Sequence, residues 1–138
     1  MTKPLLIVSS KTGNTRIIAH AVADSLPDAL LTTAEKLPED LSGFNPVGLF
    51  FWCDRGMAPE DTKAVAPKLA GKKIACFATM GGDPKAERAL EWMKKRLHAN
   101  GGMNIGSWWI AGYRSLTTSK LVHNRYYKNR SYIKLAWT

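Results

Sequence analysis

Apolar residues along this chain fall into two alternating patterns: short continuous runs, and longer stripes with helical spacing. Runs of strand length occupy residues 5–9, 47–52, 73–79 and 105–111, and a weaker run occupies residues 29–33. Continuous apolar runs of this length are typical of strands that are buried on both faces of a sheet. The pattern therefore predicts five strands.

Three helices are predicted between these strands. The first spans residues 14–26, with its stripe at Ile17, Ile18, Ala21, Val22 and Leu26. The second begins at Pro59 and ends near 66 or 69, because Pro67 lacks the N–H that a helix interior needs. The third follows the cap pair Asp83-Pro84 and ends near residues 100–102, with its stripe at Ala86, Leu90, Met93 and Leu97. Residues 35–44 are predicted to be irregular or a single helical turn.

The predicted order, β-α-β-β-α-β-α-β, is typical of an α/β domain in which helices cover both faces of a parallel sheet. In a doubly wound sheet with the strand order 2-1-3-4-5, ligands bind outside the carboxyl ends of the strands, between strands one and three. The unusual residues of this chain lie where that rule predicts. They follow strand one at 10–15, strand three at 52–57 and strand four at 79–83.

Length and composition indicate a single domain of 138 residues, with 45% hydrophobic residues. No apolar stretch approaches the roughly 20 residues that cross a bilayer, and no signal-peptide pattern precedes the first strand, so a cytoplasmic protein is expected. Cys53 and Cys76 show neither disulfide nor metal spacing. His20, His98 and His123 are interpreted as surface or packing residues. No metal site and no catalytic side chain are predicted.

Charge is distributed unevenly along the chain. Acidic and basic residues cancel through Glu91, and the net charge of +9 comes from the Lys and Arg residues that follow it. An uneven charge of this kind bears on partners rather than on fold. Residues 113–138 interleave these basic residues with Tyr126, Tyr127, Tyr132 and Trp137.

The loop from Ser10 to Thr15, with the sequence Ser-Lys-Thr-Gly-Asn-Thr, carries the most specific candidate chemistry. Its hydroxyls can donate to phosphate oxygens, and the start of the following helix offers free N–H groups and a favourable dipole. An ordinary strand-to-helix turn is the alternative. Both G-x-x-x-x-G-K-[ST] and G-x-G-x-x-G are absent, which argues against nucleoside triphosphates and dinucleotides. A single phosphate, as in FMN, remains.

These features resemble the short-chain flavodoxin family. Residues 10–15 match its phosphate-loop pattern [ST]-x-T-G-x-T, with Lys11 and Asn14 at the unspecified positions. Phe51-Trp52 followed by Gly56, and Thr79-x-Gly81, are similar to the two loops that enclose the flavin ring in flavodoxins. The resemblance covers residues 4–112. The basic charge and the unusual segment 113–138 depart from the acidic flavodoxins and from their closing helix.

The resemblance implies a flavodoxin-like fold and one non-covalent FMN. Its phosphate would be held by the loop that comprises Ser10, Lys11, Thr12, Gly13, Asn14 and Thr15. Its ring would lie between two loops, comprising Phe51, Trp52, Cys53, Asp54, Arg55 and Gly56, and Thr79, Met80, Gly81 and Gly82. Trp52 would stack on the ring. In flavodoxins a peptide in the first ring loop turns to accept a hydrogen bond from flavin N5 when the flavin takes up an electron, and Gly56 is the candidate here.

Three functions remain open from the sequence. The first is an electron carrier between a reductase and an acceptor, with its basic segment docking partners that have acidic surfaces. The second is a flavin-dependent reductase of a planar tetrapyrrole such as haem or a bilin, which Trp108, Trp109 and the basic aromatic segment would bind. The alternative for this Trp pair is one ring in the core and one on the outer face of an edge strand. The third function is binding of nucleic acid or an anionic surface through residues 113–138. No recognition motif accompanies that segment, so nucleic acid is the least favoured partner.

Overall fold

The computed structural model describes residues 2–11, 13–54, 56–80 and 86–111. Its strands are β1 (Lys3–Ser9), β2 (Leu30–Thr32), β3 (Phe44–Trp52), β4 (Lys73–Met80) and β5 (Met103–Ala111). Its helices are α1 (Asn14–Ser25), α2 (Glu60–Val65) and α3 (Ala86–Ala99). Short 3-10 turns occupy Ala34–Lys36 and Ala66–Leu69. The predicted order of elements is therefore confirmed over these residues.

The five strands form one parallel sheet in the order β2-β1-β3-β4-β5, as predicted. The register pairs Ser9 with Phe51 and Trp52 with Thr79, so β1, β3 and β4 end side by side. The loops that leave these strands consequently emerge together at one edge of the sheet.

Helices cover both faces of the sheet, as the hydrophobic pattern predicts. On one face, Val65 of α2 and Leu90, Met93 and Leu97 of α3 pack with Leu49 and other inward residues of the central strands. On the other face, Ile18 and Val22 of the predicted α1 stripe pack with Ala19 against Leu6 and Phe50, whereas Ile17 is exposed. The helical spacing of both stripes explains why each helix lies against the sheet.

Three aromatic side chains form a stack across β3, β4 and β5 on the α1 face. Phe50 and Phe77 are register partners with ring centroids 4.5 Å apart, and Phe77 and Trp108 are register partners with centroids 5.0 Å apart. The Trp108 ring lies over Gly106 of its own strand. A Cβ at Gly106 would lie 2.2 Å from the ring, so this packing requires glycine. The stack extends the core toward the edge strand β5.

The largest differences from the predicted boundaries are at the amino ends of three strands. β1 begins at Lys3 rather than at residue 5, β3 at Phe44 rather than at residue 47, and β5 at Met103 rather than at residue 105. Polar residues such as Lys3, Asn45 and Asn104 weaken the hydrophobic signal there. The predicted effect of Pro67 is confirmed, because α2 ends at Val65 and a 3-10 turn continues through Pro67.

Candidate functional site

The carboxyl edge of the sheet brings two of the three predicted loops together. The backbone N–H of Cys53, just after β3, donates to the carbonyl of Thr79 near the end of β4, at 2.9 Å. The loop after β1 is joined to β4 by a hydrogen bond between the Thr15 and Thr79 hydroxyls, 2.7 Å apart. The candidate site therefore lies at the ends of β1, β3 and β4.

The start of α1 is shaped to receive an anion. Gly13 is the N-cap residue, with a left-handed φ of 95°, and its carbonyl accepts the first helical hydrogen bond from the Ile17 N–H at 3.1 Å. The backbone N–H groups of residues 14, 15 and 16 consequently have no acceptor within the helix. No side chain among the described residues caps this end, and the first turn contains no acidic residue. By contrast, the first turn of α2 contains Glu60 and Asp61.

The Ser10 hydroxyl adds a further hydrogen-bond donor at the start of α1. Its Oγ accepts a hydrogen bond from the Gly13 N–H at 3.0 Å, so the Ser10 hydroxyl proton is left for another acceptor. Lys11, the next residue, is exposed and brings a positive charge to the same loop. Three amides without a helical acceptor, a hydroxyl donor and a cation at a helix N-terminus match the chemistry of a phosphate monoester. The described residues therefore fit the phosphate that the sequence motif predicts.

Thr15 and Thr79 are among the few buried polar residues of the described chain, with exposed fractions of 2% and 6%. Either hydroxyl can donate to the other. When Thr79 donates, the Thr15 proton remains for an acceptor at the loop. The Thr15–Thr79 hydrogen bond thus fixes the phosphate loop to β4. The Thr79 carbonyl, which accepts from the Cys53 N–H, holds the loop after β3 to the same strand.

The loop after β3 contains a tight turn at Gly56. Asp54 and Met57 exchange both backbone hydrogen bonds, with the Asp54 N–H to Met57 carbonyl at 2.7 Å and the reverse at 2.9 Å. Gly56 is buried and has a φ of 79°, a conformation that costs glycine nothing but strains other residues. The predicted loop therefore contains a glycine peptide held in a closed turn.

Trp52 and Lys11 join the phosphate loop to this second loop. Trp52 is half-buried at the end of β3, and the Lys11 Nζ lies 5.0 Å from the centre of its ring. This is within the range of a cation–π interaction. Trp52 thus has an aromatic surface at the candidate site, next to a positive charge.

Cys53 is half-buried, packs against the core on the α2 and α3 face, and burial raises the pKa of its thiol to about 11. Cys76 is fully buried in β4, and burial raises the pKa of its thiol to about 12. Both thiols are therefore protonated near neutral pH, so neither side chain is a thiolate nucleophile.

Phe51, also predicted for the ring loop, has its side chain fully buried in the core on the α2 and α3 face, so it contributes no side-chain surface to the loops. Alternation along β3 explains this, because consecutive side chains face opposite sides of a sheet. Thr12, Arg55, Gly81 and Gly82 were also predicted for the site and lie outside the described residues, and Asn14 and Met80 are described by backbone alone.

A model of the flavodoxin domain matches residues 5–109 of this chain. The chain belongs to the flavodoxin-domain family. The matched segment comprises all five strands and three helices apart from the outermost residues of β1 and β5. The resemblance inferred from the loop motifs is therefore confirmed.

One relative is the flavodoxin-like domain-containing protein BilS of Clostridioides difficile strain CD3, which is 31% identical over 97 residues. The match covers 67% of this chain and 55% of the relative. The chain thus corresponds to little more than half of that protein, and the match shows relatedness over the domain.

Solved structures show the same fold at lower identity. The two-electron reduced flavodoxin of Megasphaera elsdenii superposes with a TM-score of 0.65 at 21% identity, covering 91% of this chain and 98% of that one. A flavoprotein from Lactobacillus acidophilus, solved in complex with FMN, superposes with a TM-score of 0.65 at 14% identity, covering 79% and 93%. These likenesses confirm the α/β flavodoxin fold.

Two polar residues of the flavodoxin domain were missed by the sequence interpretation. The Ser9 hydroxyl, at the end of β1, donates to Asp61 Oδ1 at 3.0 Å, and the same oxygen accepts from the Thr62 N–H at 2.8 Å. The contact ties the start of α2 to the strand that leads into the phosphate loop. Ser9 and Asp61 are 52 positions apart, so no local sequence pattern indicates their contact, although the predicted sheet order places both near one edge of the sheet.

Within the described ranges, no three His, Cys, Asp or Glu side chains cluster as metal ligands. Over the same part of the chain, no helix is long and apolar enough to cross a membrane. The basic aromatic segment 113–138, on which the tetrapyrrole and nucleic-acid hypotheses partly rest, lies outside the described residues.

Replacing Thr79 by Val is expected to destabilise the domain by about 1–2 kcal/mol, because the buried Thr15 hydroxyl then loses its partner. Replacing both Thr15 and Thr79 by Val removes both polar groups, so its cost should be lower than the sum of the single changes. Urea unfolding of Thr15→Val, Thr79→Val and the double variant, each without FMN, measures this coupling. Additive losses would contradict a shared hydrogen bond.

Proposed function

We propose that this flavodoxin domain binds one FMN at the carboxyl edge of its sheet and carries electrons between a reductase and an acceptor. The supporting observation is the start of α1, where the described residues provide no side-chain cap, together with the Ser10 hydroxyl at the switch point of the sheet. The loop of residues 10–15 holds the phosphate. The turn at residues 54–57 and the end of β4 bind the ring.

Bound FMN supplies one-electron and two-electron redox chemistry. The protein binds and orients it: the α1 amides and Ser10 fix the phosphate, and Trp52 offers an aromatic face to the ring. Gly56, in its closed turn, provides a backbone peptide whose direction can change without a Cβ clash. Lys11 brings positive charge to this site, which favours a cofactor form of greater negative charge.

Both thiols are protonated near neutral pH, so the redox chemistry of the site is assigned to bound FMN rather than to Cys53 or Cys76. Partners with acidic surfaces suit the net charge of +9.

Reconstitution and stepwise reduction test this proposal. The purified protein should become yellow with equimolar FMN, and titration with dithionite should pass through a one-electron-reduced form that persists. Full reduction without such a form would contradict the single-electron carrier while leaving FMN binding intact. Failure to bind FMN at all would overturn the proposal.

Trp52→Leu is expected to weaken both FMN and riboflavin by about tenfold, since it removes a stacking surface and leaves the phosphate contacts in place. Trp92→Leu is the matched control, because Trp92 also lies beside cations, Lys63 and Arg96, but belongs to α3 and not to any of the predicted cofactor loops. Fluorescence titration measures each affinity. Equal affinities for the wild type and Trp52→Leu would remove Trp52 from the ring site.

A second candidate is reduction of a planar tetrapyrrole, favoured by Trp109, which is 36% exposed on β5. The adjacent Trp108 stacks on Phe77 within the α1-face core, so the two tryptophans point to opposite faces of the sheet and present no common platform. This matches the core-and-surface alternative for the pair. Spectral titration with haem and biliverdin tests the candidate: an unshifted spectrum and no turnover with reduced FMN would exclude it.

A further inference from the structure

A groove runs between the second half of α3 and the start of β5. Its volume is about 550 Å³. One wall is a stripe of α3 side chains whose spacing places them on the same helical face: Glu91, Lys94, Lys95 and His98. The other wall is the turn after α3 together with Met103 and Asn104. We call this cavity the α3–β5 groove.

The α3–β5 groove combines positive charge with an apolar surface. Lys94 and Lys95 are both exposed, and among the described residues Glu91 is the only acidic one that lines the cavity. Met103 is 60% exposed, a large value for an apolar side chain next to the core. A ligand suited to this surface carries negative charges that reach the lysines and an apolar group that covers Met103.

The groove is separate from the proposed cofactor site. Met103 and Asn104 begin β5, whereas the loops that bind FMN leave the carboxyl ends of β1, β3 and β4. Because the sheet is parallel, these places lie at opposite ends of the strands. A ligand in the α3–β5 groove therefore leaves the ring loops open.

The edge of β5 next to the groove is poorly suited to adding another strand. Ile74 pairs with Asn104 and Ala75 with Gly106, so Ile105 is an extra residue that forms a bulge. The Asn104 amide bridges this bulge: in the orientation that satisfies its neighbours, Nδ2 donates to the carbonyls of Ile74 at 3.1 Å and Gly106 at 2.9 Å, and Oδ1 accepts from the Ser107 hydroxyl. Bulges at an edge interrupt pairing. An occupant thus binds through its side chains.

Charge also distinguishes between the possible occupants of the groove. Residues 112–138 of this chain contain Lys and Arg but no Asp or Glu, so they are mismatched to a wall that carries two lysines. A second copy docked face to face would place the lysine pairs against each other. An acidic partner gains attraction at both lysines.

We propose that the α3–β5 groove docks an acidic peptide segment of a partner protein, with carboxylates at Lys94 and Lys95 and an apolar side chain on Met103. This goes beyond the proposed electron transfer. It gives the domain an attachment point distant from its redox loops, so a partner can hold it while a second protein approaches the cofactor.

Fluorescence anisotropy with a labelled peptide that alternates glutamate and leucine tests this docking on the full chain. Lys94→Glu combined with Lys95→Glu should weaken binding at least about tenfold, since both contacts become repulsive. The control, Lys36→Glu combined with Lys68→Glu, makes the same charge change at exposed positions off the groove and should weaken binding less than about threefold, because distant surface charges are screened. Met103→Ser should weaken binding about fivefold.

Four outcomes would overturn the proposal. Two concern peptide affinity: an equal loss of affinity in both lysine double variants, or equal affinity for a peptide that alternates lysine and leucine. The third is an amide NMR spectrum in which the added peptide releases residues 112–138 from the groove. The fourth is a dimer in sedimentation that the double variant Lys94→Glu, Lys95→Glu dissociates. FMN uptake should be unchanged in every groove variant. Failure of the docking is thereby distinguishable from failure of cofactor binding.

Discussion

Ser10→Asp should weaken FMN binding by at least about a hundredfold. The new carboxylate would lie where the Ser10 Oγ accepts the Gly13 N–H, at the start of α1. There it would continue to accept the Gly13 N–H, and its negative charge would repel the phosphate. Two unit charges about 4 Å apart interact by about 4 kcal/mol at an effective dielectric of 20, and each ~1.4 kcal/mol is a tenfold change in affinity.

Riboflavin provides the control for this prediction, because it has the same ring without the phosphate. Its affinity should change by less than about threefold in Ser10→Asp. Thr2→Asp adds the same charge at the opposite end of β1 and should leave FMN affinity close to the wild type. Paired fluorescence titrations measure both ligands. Equal losses of FMN and riboflavin would mean that the loop does not hold a phosphate.

The architecture of this domain could be predicted from sequence because its signals are local and mutually consistent. Continuous apolar runs indicated the buried parallel strands, and the α1 and α3 stripes indicated which helical faces pack inward. The topology then followed from the connection rules and placed the loops after β1, β3 and β4 at one edge. Ser10 and Gly13 could be predicted for the same reason, because the motif and the hydrogen bond between these residues lie within one short loop.

The long-range details of the site could not be predicted. Thr15 was interpreted only as a phosphate donor, but its hydroxyl also bonds to Thr79, 64 residues later. Phe51 and Trp52 are adjacent in sequence, and the run of apolar residues in β3 does not tell which of them faces the core. Lys11 over Trp52 is likewise a contact between two loops. Such contacts depend on side-chain direction, which a continuous hydrophobic pattern does not encode.

The aromatic stack was also missed, for the same reason. Phe50, Phe77 and Trp108 occur in three separate strands, and only the register makes them neighbours. Trp108 was weighed as a ligand-stacking residue, but it instead covers Phe77 at the side of the sheet near β5. Gly106 gives a sequence signal in retrospect: a glycine two residues before a tryptophan in a strand leaves room for the ring.

Phe77→Ala should lower the free energy of unfolding by about 3–5 kcal/mol, the usual cost of truncating a buried phenylalanine. Phe77 is 3% exposed and lies between two rings, so its removal opens a cavity and also ends both stacking contacts. Because Phe77 and Thr79 are both in β4, the loss should also weaken FMN binding indirectly, through a less rigid edge of the sheet. Urea unfolding of the apo-protein measures the stability change directly.

Trp109→Ala is the control for the stack, since Trp109 is adjacent to Trp108 but faces the other side of the sheet with part of its ring in solvent. Trp109→Ala should lower the free energy of unfolding less than Trp108→Ala does, by more than about 1 kcal/mol, because Trp108, unlike Trp109, covers Phe77. Phe77→Leu, which keeps most of the buried volume, should fall between the wild type and Phe77→Ala. Equal losses for the two tryptophans would contradict the stack as a support of the core, and would restore the possibility that both rings serve a ligand.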